Sequence, residues 1–484
     1  MSSHIEKKNV GFGKSIIPIA FFAIVLIFGL FVQPVILKEK PLPLGVLIMM
    51  AFSFSSMYLL WLGYSWDEIQ ASIVKKVGDS VGVILILFSI GVLIGSWIIC
   101  GTIPMLIYYG ISWIDPNWIY IFSFLICIIF SLLTGTSWGS AGTIGVVMMG
   151  ISEVYDANLC ITAGAIVGGS FFGDKMSPLS DTTNVASLAT DVPLFQHINS
   201  MMSTTGPAAL IAAVIYIFLS PAVSGEALRT SAQQPELIEQ TLVGLESMFN
   251  FSLILLIPLV VVVWGSVTKK PIVLTLLGSA WIAMLIALTM QSFSFGDIIE
   301  SFNKGFSTTM SATDANAKAL NILNRGGLYN LIDGIVSCFL VFALIGTFDV
   351  INAIDNVIGK ILEKIHSRRA TVVAALSSTL LTNLTASNQY ATSFIIAEAF
   401  KKKFDKLGID RKVLSRSIED AGTMMENLAP WTPSGIFMAG ALGVTSLEYA
   451  PYQFISLANI IIAYFFAMTG IACFYNRKGQ LEDE

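Results

Sequence analysis

Apolar runs of about 20 residues recur along the whole chain, and a run of this length matches the hydrocarbon thickness of a bilayer. Charged residues make up 12% of the sequence, about half of the roughly 25% that is usual in a soluble domain. We therefore predict an all-α polytopic membrane protein in which most residues lie in membrane spans. The candidate spans are Ser15–Ile36, Leu42–Gly63, Val81–Thr102, 159–188, Met201–Leu219, Phe249–Trp264, Pro271–Met290, Leu331–Val350, 413–440 and Phe454–Phe474.

Two further apolar segments, 118–151 and 371–400, are too long for one span and too short for two. The loops that flank 371–400 are rich in Lys and Arg, which the positive-inside rule places in the cytoplasm. The loops Pro104–Asn117 and Ser152–Cys160, which flank 118–151, contain neither Lys nor Arg and fit the outer face. Each segment thus begins and ends on one side, so we predict two re-entrant helical hairpins that enter from opposite faces.

The two halves of the chain share a series of local patterns in the same order. The matched segments are Lys40-Pro41 with Lys270-Pro271, Ser65–Val77 with Ser294–Phe306, Ile90-Gly91 with Ile345-Gly346, Ser131–Thr143 with Thr379–Thr392, and Gly169–Ser180 with Ala421–Thr432. We predict two inverted repeats, 1–223 and 249–475, each with five spans (one of them broken) and one hairpin, which makes about ten full spans plus two hairpins. The connecting loop 224–248 is expected outside, and the tail 476–484 and both termini are expected in the cytoplasm.

The sequence GDKMSPLSDTTN, from Gly173 to Asn184, interrupts the apolar segment 159–188, and MENLAPWTPSG interrupts 413–440 in the same way. Irregular polar backbone at membrane depth is tolerated only where protein buries it or where it lines a cavity. Discontinuous helices of this kind form the ion and substrate sites of secondary transporters, near the plane where the repeats meet. An extramembrane loop is the alternative, although apolar sequence flanks the first interruption on both sides.

Oxygen-bearing side chains from the two interruptions and the two hairpin tips supply the ligands that a hard cation such as Na⁺ prefers. A carboxylate inside a membrane is by default a functional candidate, and one that holds either a proton or Na⁺ provides a basis for exchange. Asp181 is the first candidate, because three oxygen-bearing residues follow it, with Asp174 second and Glu426 third. The predicted cation- and proton-binding residues are Asp181, Asp174, Glu426, Asn184, Thr182, Thr183, Ser180 and Ser177, with supporting ligands Thr136, Ser137, Thr385, Ser387, Asn388, Asn427, Thr432 and Ser434.

Each of these residues also has a structural interpretation. Lys175 is a candidate charge partner for a bound group, for its neighbour Asp174 or for Glu426. The first-choice carboxylate could cap the half-helix that resumes after it, and the hairpin hydroxyls could bond to their own helices. The acids Glu419 and Asp420 are expected at the cytoplasmic boundary.

The stretches GGSFFGDKMSPLSDTTN and LTGTSWGSAGTIG resemble the NhaC family of bacterial sodium/proton antiporters, and the second-half string ENLAPWTPSG supports the resemblance. The similarity covers most of the chain, from about Lys14 to Tyr475. It implies a place in a wider ion-transporter superfamily whose members have two inverted repeats, each with a re-entrant hairpin and a broken helix, and are often homodimers. Some similar antiporters couple Na⁺ and H⁺ to organic anions, as in malate uptake against lactate.

We expect a secondary antiporter that exchanges Na⁺ for H⁺ across the bacterial inner membrane by alternating access. The main alternative is a Na⁺- or H⁺-coupled carrier of a small organic anion or amino acid, with helix N-termini at the hairpin tips holding a carboxylate. A channel or a membrane-embedded sensor is a further alternative. The sequence carries no P-loop, dinucleotide fingerprint or nucleophile motif, and its cysteines and histidines lack metal-ligand spacing. We therefore expect no enzyme, no cofactor, no transition metal and no nucleic-acid partner.

Overall fold

The computed structural model describes residues 10–220, 234–311, 321–363 and 365–473, and within these ranges the chain forms helices and no strands. In the first half the α-helices are Phe12–Ile27, Leu44–Trp61, Trp66–Ile99, Thr102–Trp113, Ile119–Thr134, Ser137–Ser140, Val146–Val154, Leu159–Met176, Asp181–Ala189 and Leu194–Leu219, with π-helices at Phe28–Ile36 and Ala141–Gly145. In the second half they are Gln234–Met248, Ile257–Val267, Ile272–Met290, Phe295–Asn303, Ile332–Val350, Ala353–Glu363, Arg368–Ala386, Gln389–Leu407, Arg411–Ile418, Met424–Glu426, Pro433–Leu442, Ser446–Tyr449 and Phe454–Thr469, with a π-helix at Glu419–Thr423. Short 3₁₀ turns lie at Pro116–Trp118, Leu253–Leu256, Thr308–Met310, Asn321–Leu323 and Ala450–Tyr452.

Seven helices in the described ranges are long and apolar enough to cross a membrane, or up to nine if each of two strongly bent helix pairs counts as one span. This confirms an all-helical, multi-pass membrane protein, whereas the count of about ten full spans plus two hairpins stays a prediction. The lower number has a physical reason. The helices that contain the two predicted interruptions are divided by polar turns, so their halves fall short of a fully apolar spanning helix.

Two segments fold as pairs of helices and two as broken helices, each divided by a polar turn. These elements are the first helix pair (Ile119–Thr134, then a helix from Ser137 to Val154), the first broken helix (Leu159–Met176 and Asp181–Ala189), the second helix pair (Arg368–Ala386 and Gln389–Leu407) and the second broken helix (Arg411–Ile418, continued to Glu426, and Pro433–Leu442). The helix pairs occupy the segments predicted as hairpins, and each division falls in the predicted polar sequence. Their re-entrant course through the membrane stays a prediction.

The tips of the two helix pairs have the same backbone construction. Gly135 and Ser387 adopt left-handed conformations with φ of 69° and 49°, which end the preceding helix. Thr136 and Asn388 follow directly and cap the next helix with their side chains, accepting from the amides of Gly139 and Ala391. Each tip therefore presents the N-terminus of a helix together with polar side chains.

Each half of the chain has a serine whose hydroxyl donates a hydrogen bond to the backbone of a helix in the other half. Ser72 Oγ donates to the carbonyl oxygen of Gly346 at 2.8 Å. Ser301 Oγ donates to the carbonyl oxygen of Gly95, also at 2.8 Å. The two serines occupy the same position of a matched pair of segments, and each segment opens its helix with a capping box. Each half thus provides one helix for the partner half to pack against.

The predicted connecting loop, 224–248, contains the α-helix Gln234–Met248. Although the segment is polar, apolar residues recur on one face of this helix, and Leu245 and Met248 are buried. Residues 224–233 of that loop and the predicted tail, 476–484, lie outside the described residues.

The first broken helix lies directly against the first helix pair because glycines face the contact. A Cβ added at Gly169 would come within 2.3 Å of Phe124 O, and one at Gly173 within 2.7 Å of Ile128 O. Small residues four positions apart let two helix backbones approach this closely. The close approach brings Asp174, the residue after the second glycine, to the tip of the first helix pair.

Gly169→Ala is expected to destabilise the protein, because its new Cβ meets the Phe124 oxygen at 2.3 Å and overpacking typically costs about 1–3 kcal/mol. The matched control is Gly278→Ala in the helix Ile272–Met290, where an added Cβ meets nothing within 4 Å. Thermal unfolding of detergent-solubilised protein, followed by intrinsic fluorescence, should show a lowered midpoint for Gly169→Ala only. Equal midpoints for the two variants would contradict this packing.

Candidate functional site

A cavity of about 280 Å³ lies where the four divided elements meet. Both helix-pair tips and both broken helices contribute to its wall. The predicted site residues on that wall are Asp174, Asp181, Thr182, Glu426, Thr136, Ser137, Ser387, Asn388 and Ser434. Residues that are distant in sequence thus meet in one space lined by carboxylate, hydroxyl and amide oxygens.

Asp174 lies on the cavity wall, near the end of the first half of the first broken helix, and is 7% exposed. Its Oδ2 accepts hydrogen bonds from Ser137 N at 3.1 Å and from Ser137 Oγ at 2.7 Å. Because a new helix begins at Ser137, this amide has no partner in its own helix. The positive end of that helix dipole also favours a carboxylate. Asp174 is therefore held in place by donors that orient its charge without neutralising it.

Glu426 occupies the matching place in the second broken helix, at the residue where the helix stops before its polar turn. It is 8% exposed, and its Oε1 accepts from Ser434 Oγ at 2.9 Å. Ser434 in turn accepts from the indole of Trp138 at 3.1 Å. The Trp138 ring stacks on Phe437 with centroids 4.5 Å apart. This chain of contacts ties the first helix pair to the second carboxylate.

Asp181 is exposed on the cavity wall and is the first residue of the helix Asp181–Ala189. The cap of this helix is Ser180, whose side chain accepts from the backbone amide of Thr183. Asp181 is therefore neither the cap of this helix nor a buried acid, and its side chain is exposed at the cavity wall.

The predicted oxygen shell around the aspartate does not form. Thr182 does line the cavity. Thr183 faces away and donates to Lys175 O at 3.0 Å, while the Asn184 amide donates to Pro178 O at 3.0 Å. Successive residues of a helix project in different directions, so neighbours in sequence do not share one set of contacts.

The remaining predicted ligands are not among the residues that line the cavity, and they bond to other protein groups. Their contacts are Ser177 Oγ to Leu132 O at 3.0 Å, Thr385 Oγ1 to Leu381 O at 2.6 Å, Asn427 Nδ2 to Ser456 Oγ at 3.3 Å and Thr432 Oγ1 to Ala429 O at 2.8 Å. Hydroxyl and amide side chains commonly satisfy the backbone groups that a helix break leaves free. These residues, together with Ser180, hold the divided helices in shape.

Lys175 is not among the residues that line the cavity. Its ammonium group forms an ion pair with Asp420, and both side chains are fully buried. Asp420 also accepts from Thr204 Oγ1 at 3.0 Å and from Asn459 Nδ2 at 3.1 Å. The lysine thus pairs with an acid expected at the cytoplasmic boundary rather than with a cavity carboxylate or a bound anion. Adjacent helical residues do not face each other, so Lys175 and Asp174 reach different neighbours.

The polar residues that line the cavity but are absent from the predicted ligands include Gln389, Thr423, Lys269 and Lys270. Gln389 is the last residue of the predicted tip sequence TNLTASNQ. Thr423 lies three residues before Glu426, so extending the second broken segment by one turn would find it. The two lysines end the loop after the helix Ile257–Val267, and no local signal in the sequence points from them to the cavity.

Outside the membrane-spanning helices, charged side chains join the end of the first broken helix to two other elements, the second helix pair and the second broken helix. Asp191 accepts from Lys401 Nζ at 2.9 Å and from Arg411 Nη1 at 2.8 Å. The hydrogen bond and charge of Lys401, helped by Arg411, hold the pKa of Asp191 below its ordinary value. Because Asp191 is exposed, water and salt screen these pairs, so they orient the two elements more than they stabilise the fold.

In the part of the chain that the structure describes, no group of three or more His, Cys, Asp or Glu side chains is arranged to hold a metal ion. The cavity oxygens come from carboxylates, hydroxyls and amides of four separate elements. Such a set of oxygen donors suits a hard cation better than a transition metal.

Comparison with known proteins gives concordant matches. The model of the Na⁺/H⁺ antiporter family matches residues 169–471, more than half of the chain. An uncharacterised Na⁺/H⁺ antiporter of Haemophilus influenzae is 37% identical over 431 residues, which cover 89% of this chain and 91% of that protein. The Na⁺/H⁺ antiporter NhaC of Bacillus subtilis is 35% identical over 93% of this chain and 96% of its own length. A malate-2H⁺/Na⁺-lactate antiporter of Bacillus subtilis is 30% identical over 96% of each chain.

The similarity to these relatives extends over almost the whole chain, and the family match begins within the first broken helix and includes the second helix pair. The apolar helices identify a multi-pass membrane protein. The chain therefore belongs to the NhaC-type Na⁺/H⁺ antiporter family.

Proposed function

We propose that this protein is a secondary antiporter that exchanges Na⁺ for H⁺ across the bacterial inner membrane by alternating access. The observation that supports the proposal best is a cavity whose wall holds two buried carboxylates, Asp174 and Glu426, one from each broken helix. Within the described residues, neither forms an ion pair with a Lys, Arg or His nitrogen. A buried carboxylate without a fixed cation is costly to leave ionised, so each favours a proton or a mobile cation.

Oxygen atoms around the two carboxylates can replace part of the hydration shell of Na⁺. Ser137 and Ser434 each donate a hydrogen bond to one carboxylate and so fix its orientation before an ion arrives. A carboxylate that binds Na⁺ releases its proton, because the two positive charges would repel each other strongly in a site of low dielectric constant. Exchange results when the proton is released on one side of the membrane and Na⁺ is released on the other.

Two inverted repeats would provide the alternation between the two sides. The reciprocal bonds Ser72 to Gly346 and Ser301 to Gly95 support two related halves, as does the shared construction of the two helix-pair tips. The distribution of Lys and Arg supports opposite orientation of the halves and cytoplasmic termini. The resemblance to a superfamily of dimers supports a homodimer in lipid, with Na⁺ and H⁺ as transported ions and no cofactor.

A second candidate function is Na⁺- or H⁺-coupled transport of a small organic anion. Two basic residues, Lys269 and Lys270, are exposed and are among the residues that line the cavity. A relative that is 30% identical is named a malate-2H⁺/Na⁺-lactate antiporter. The helix N-terminus at Gln389, together with these ammonium groups, could hold a carboxylate of such a solute. Lys175 is committed to Asp420 and would take no part.

Asp174→Asn and Glu426→Gln should each weaken Na⁺-driven proton flux in proteoliposomes. Each removes a charged oxygen ligand, which contributes about 1.5–3 kcal/mol and corresponds to a loss of Na⁺ affinity of about tenfold or more. Asp181→Asn should have a smaller effect, because that side chain is exposed and solvent screens its charge. The measurement is the decay of an acid-sensitive dye signal over a range of Na⁺ concentrations.

The control for these variants is Glu363→Gln, which makes the same chemical change at an exposed helix end far from the cavity wall. It should match the wild type in rate and in apparent Na⁺ affinity. Unchanged flux in both Asp174→Asn and Glu426→Gln would exclude this cavity as the ion site.

The two candidate functions differ in their need for an organic solute. For Na⁺/H⁺ exchange, Na⁺ alone should drive proton flux, and added malate or lactate should leave the rate unchanged. For solute coupling, malate or lactate should stimulate the flux, and Lys270→Gln should remove the stimulation by removing a cation from the cavity wall. Lys40→Gln, the exposed counterpart in the matched segment of the first half, is the control. The absence of any flux with Na⁺ alone would overturn the main proposal.

A further inference from the structure

A third buried carboxylate, Glu419, lies directly behind the cavity wall. Its Oε2 accepts a hydrogen bond from Thr423 Oγ1 at 2.7 Å, and Thr423 itself lines the cavity. Glu419 is fully buried, so this hydroxyl is a direct link between the acid and the cavity. Both residues belong to the π-helix Glu419–Thr423, a local widening of the helix that is frequent at functional sites.

The surroundings of Glu419 offer hydrogen-bond acceptors that lack donors. Among the described residues, Glu419 Oε1 and Asn383 Oδ1 are buried and have no hydrogen-bond partner. The side-chain amides nearby bond to each other and to the backbone: Asn383 Nδ2 donates to Gln389 Oε1 at 2.7 Å, and Gln389 Nε2 donates to Ile418 O at 3.4 Å. Carboxylate and amide oxygens only accept. A proton bound by Glu419 would therefore add a donor to this group of acceptors.

The basic side chains near Glu419 lie against another acid. Lys175 is engaged by Asp420, and Arg416 Nε lies 3.8 Å from the same aspartate. Across the described ranges, no Lys, Arg or His nitrogen lies within ion-pair distance of Glu419. The titratable and charged groups on Glu419's own helix and on the elements around it include Arg416, Asp420, Glu426, Asp174, Lys175, Asp181, His197 and Tyr390.

We propose that Glu419 is a proton-binding residue of the exchange cycle, loaded from the cavity through the Thr423 hydroxyl, while Asp174 and Glu426 on the wall bind Na⁺. This inference rests on the proposed Na⁺/H⁺ exchange and assigns its proton to a separate group. A hydronium ion in the cavity gives a proton to Thr423 Oγ1 and becomes water, while the hydroxyl passes its own proton to Glu419 Oε2. The hydroxyl is thereby regenerated and Glu419 becomes a neutral carboxylic acid. The reverse transfer returns the proton when the cavity opens on the other side.

Separating the two sites explains how one cavity can respond to both ions. A proton on Glu419 removes a negative charge close to Asp174 and Glu426 and so lowers the attraction of the cavity for Na⁺. Binding of Na⁺ in the cavity favours release of that proton in the same way, because coupling between two sites is reciprocal. Gln389 lines the cavity and accepts a hydrogen bond from Asn383, whose own Oδ1 is one of the buried acceptors without a partner.

The test compares wild type, Glu419→Gln and the control Glu398→Gln, an exposed acid on the second helix pair, in proteoliposomes. One assay measures uptake of radioactive Na⁺ against trapped Na⁺ at constant pH, which needs the cation site and alternation but no net proton movement. The other measures Na⁺-driven proton flux across a pH range. Glu419→Gln should keep Na⁺ counterflow but lose at least about fivefold in proton flux, the lower end of measured coupling between linked sites, with a flattened pH profile.

The outcomes separate this inference from the proposed function. Wild-type proton flux and pH profile in Glu419→Gln would overturn the proton-binding role and leave Na⁺/H⁺ exchange standing. Loss of counterflow and proton flux together would show that Glu419 is structural and would also overturn it. Absence of Na⁺-driven proton flux in the wild type would overturn the proposed function, and this inference with it.

A second variant covers the case in which Glu419→Gln does not yield folded protein. Thr423→Val keeps the acid and the side-chain volume but removes the hydroxyl link at 2.7 Å. It should slow proton flux while Na⁺ counterflow continues. Unchanged proton flux in a monodisperse Thr423→Val protein would exclude the route through this hydroxyl.

Discussion

A carboxylate that is buried without a fixed cation is the constraint on which this structure depends. Asp174 and Glu426 each receive hydrogen bonds from a serine, and within the described chain neither has a basic partner. Hydrogen-bond donors orient a negative charge, but they do not neutralise it. In the proposed exchange, a proton or Na⁺ that enters the cavity compensates these two charges.

The buried acids are of two kinds, those paired with a basic side chain and those without such a partner in the described chain. Asp420 is paired with Lys175, and this pair joins the two broken helices, one from each half of the chain. Removing one partner of a buried ion pair typically costs about 3–5 kcal/mol, so the link is a firm one. Asp174 and Glu426, which have no ion-pair partner among the described residues, lie on the cavity wall, and Glu419 lies behind it. One neutralised pair thus joins the two helices that carry the cavity carboxylates.

Polar side chains also have to bond the backbone groups that the helix breaks leave free. Every break frees backbone N–H and C=O groups that need partners, and side chains within the breaks supply them. Ser180 and Thr432 cap helices without lining the cavity themselves, whereas Thr136 and Asn388 cap helices and also line it. The composition of a break therefore shows where a site can form without showing which oxygens remain free for an ion.

Local patterns were enough to establish the all-helical membrane class, the four divided segments and the family, because apolar length, glycine and proline breaks and motif strings are properties of short stretches. They could not show that Asp181 would be exposed, that Glu419 would lie behind the cavity, or that Lys175 would choose Asp420, 245 residues further along the chain. Those outcomes depend on the direction in which each side chain leaves its helix and on which helix packs beside it. Only the assembled tertiary structure specifies both.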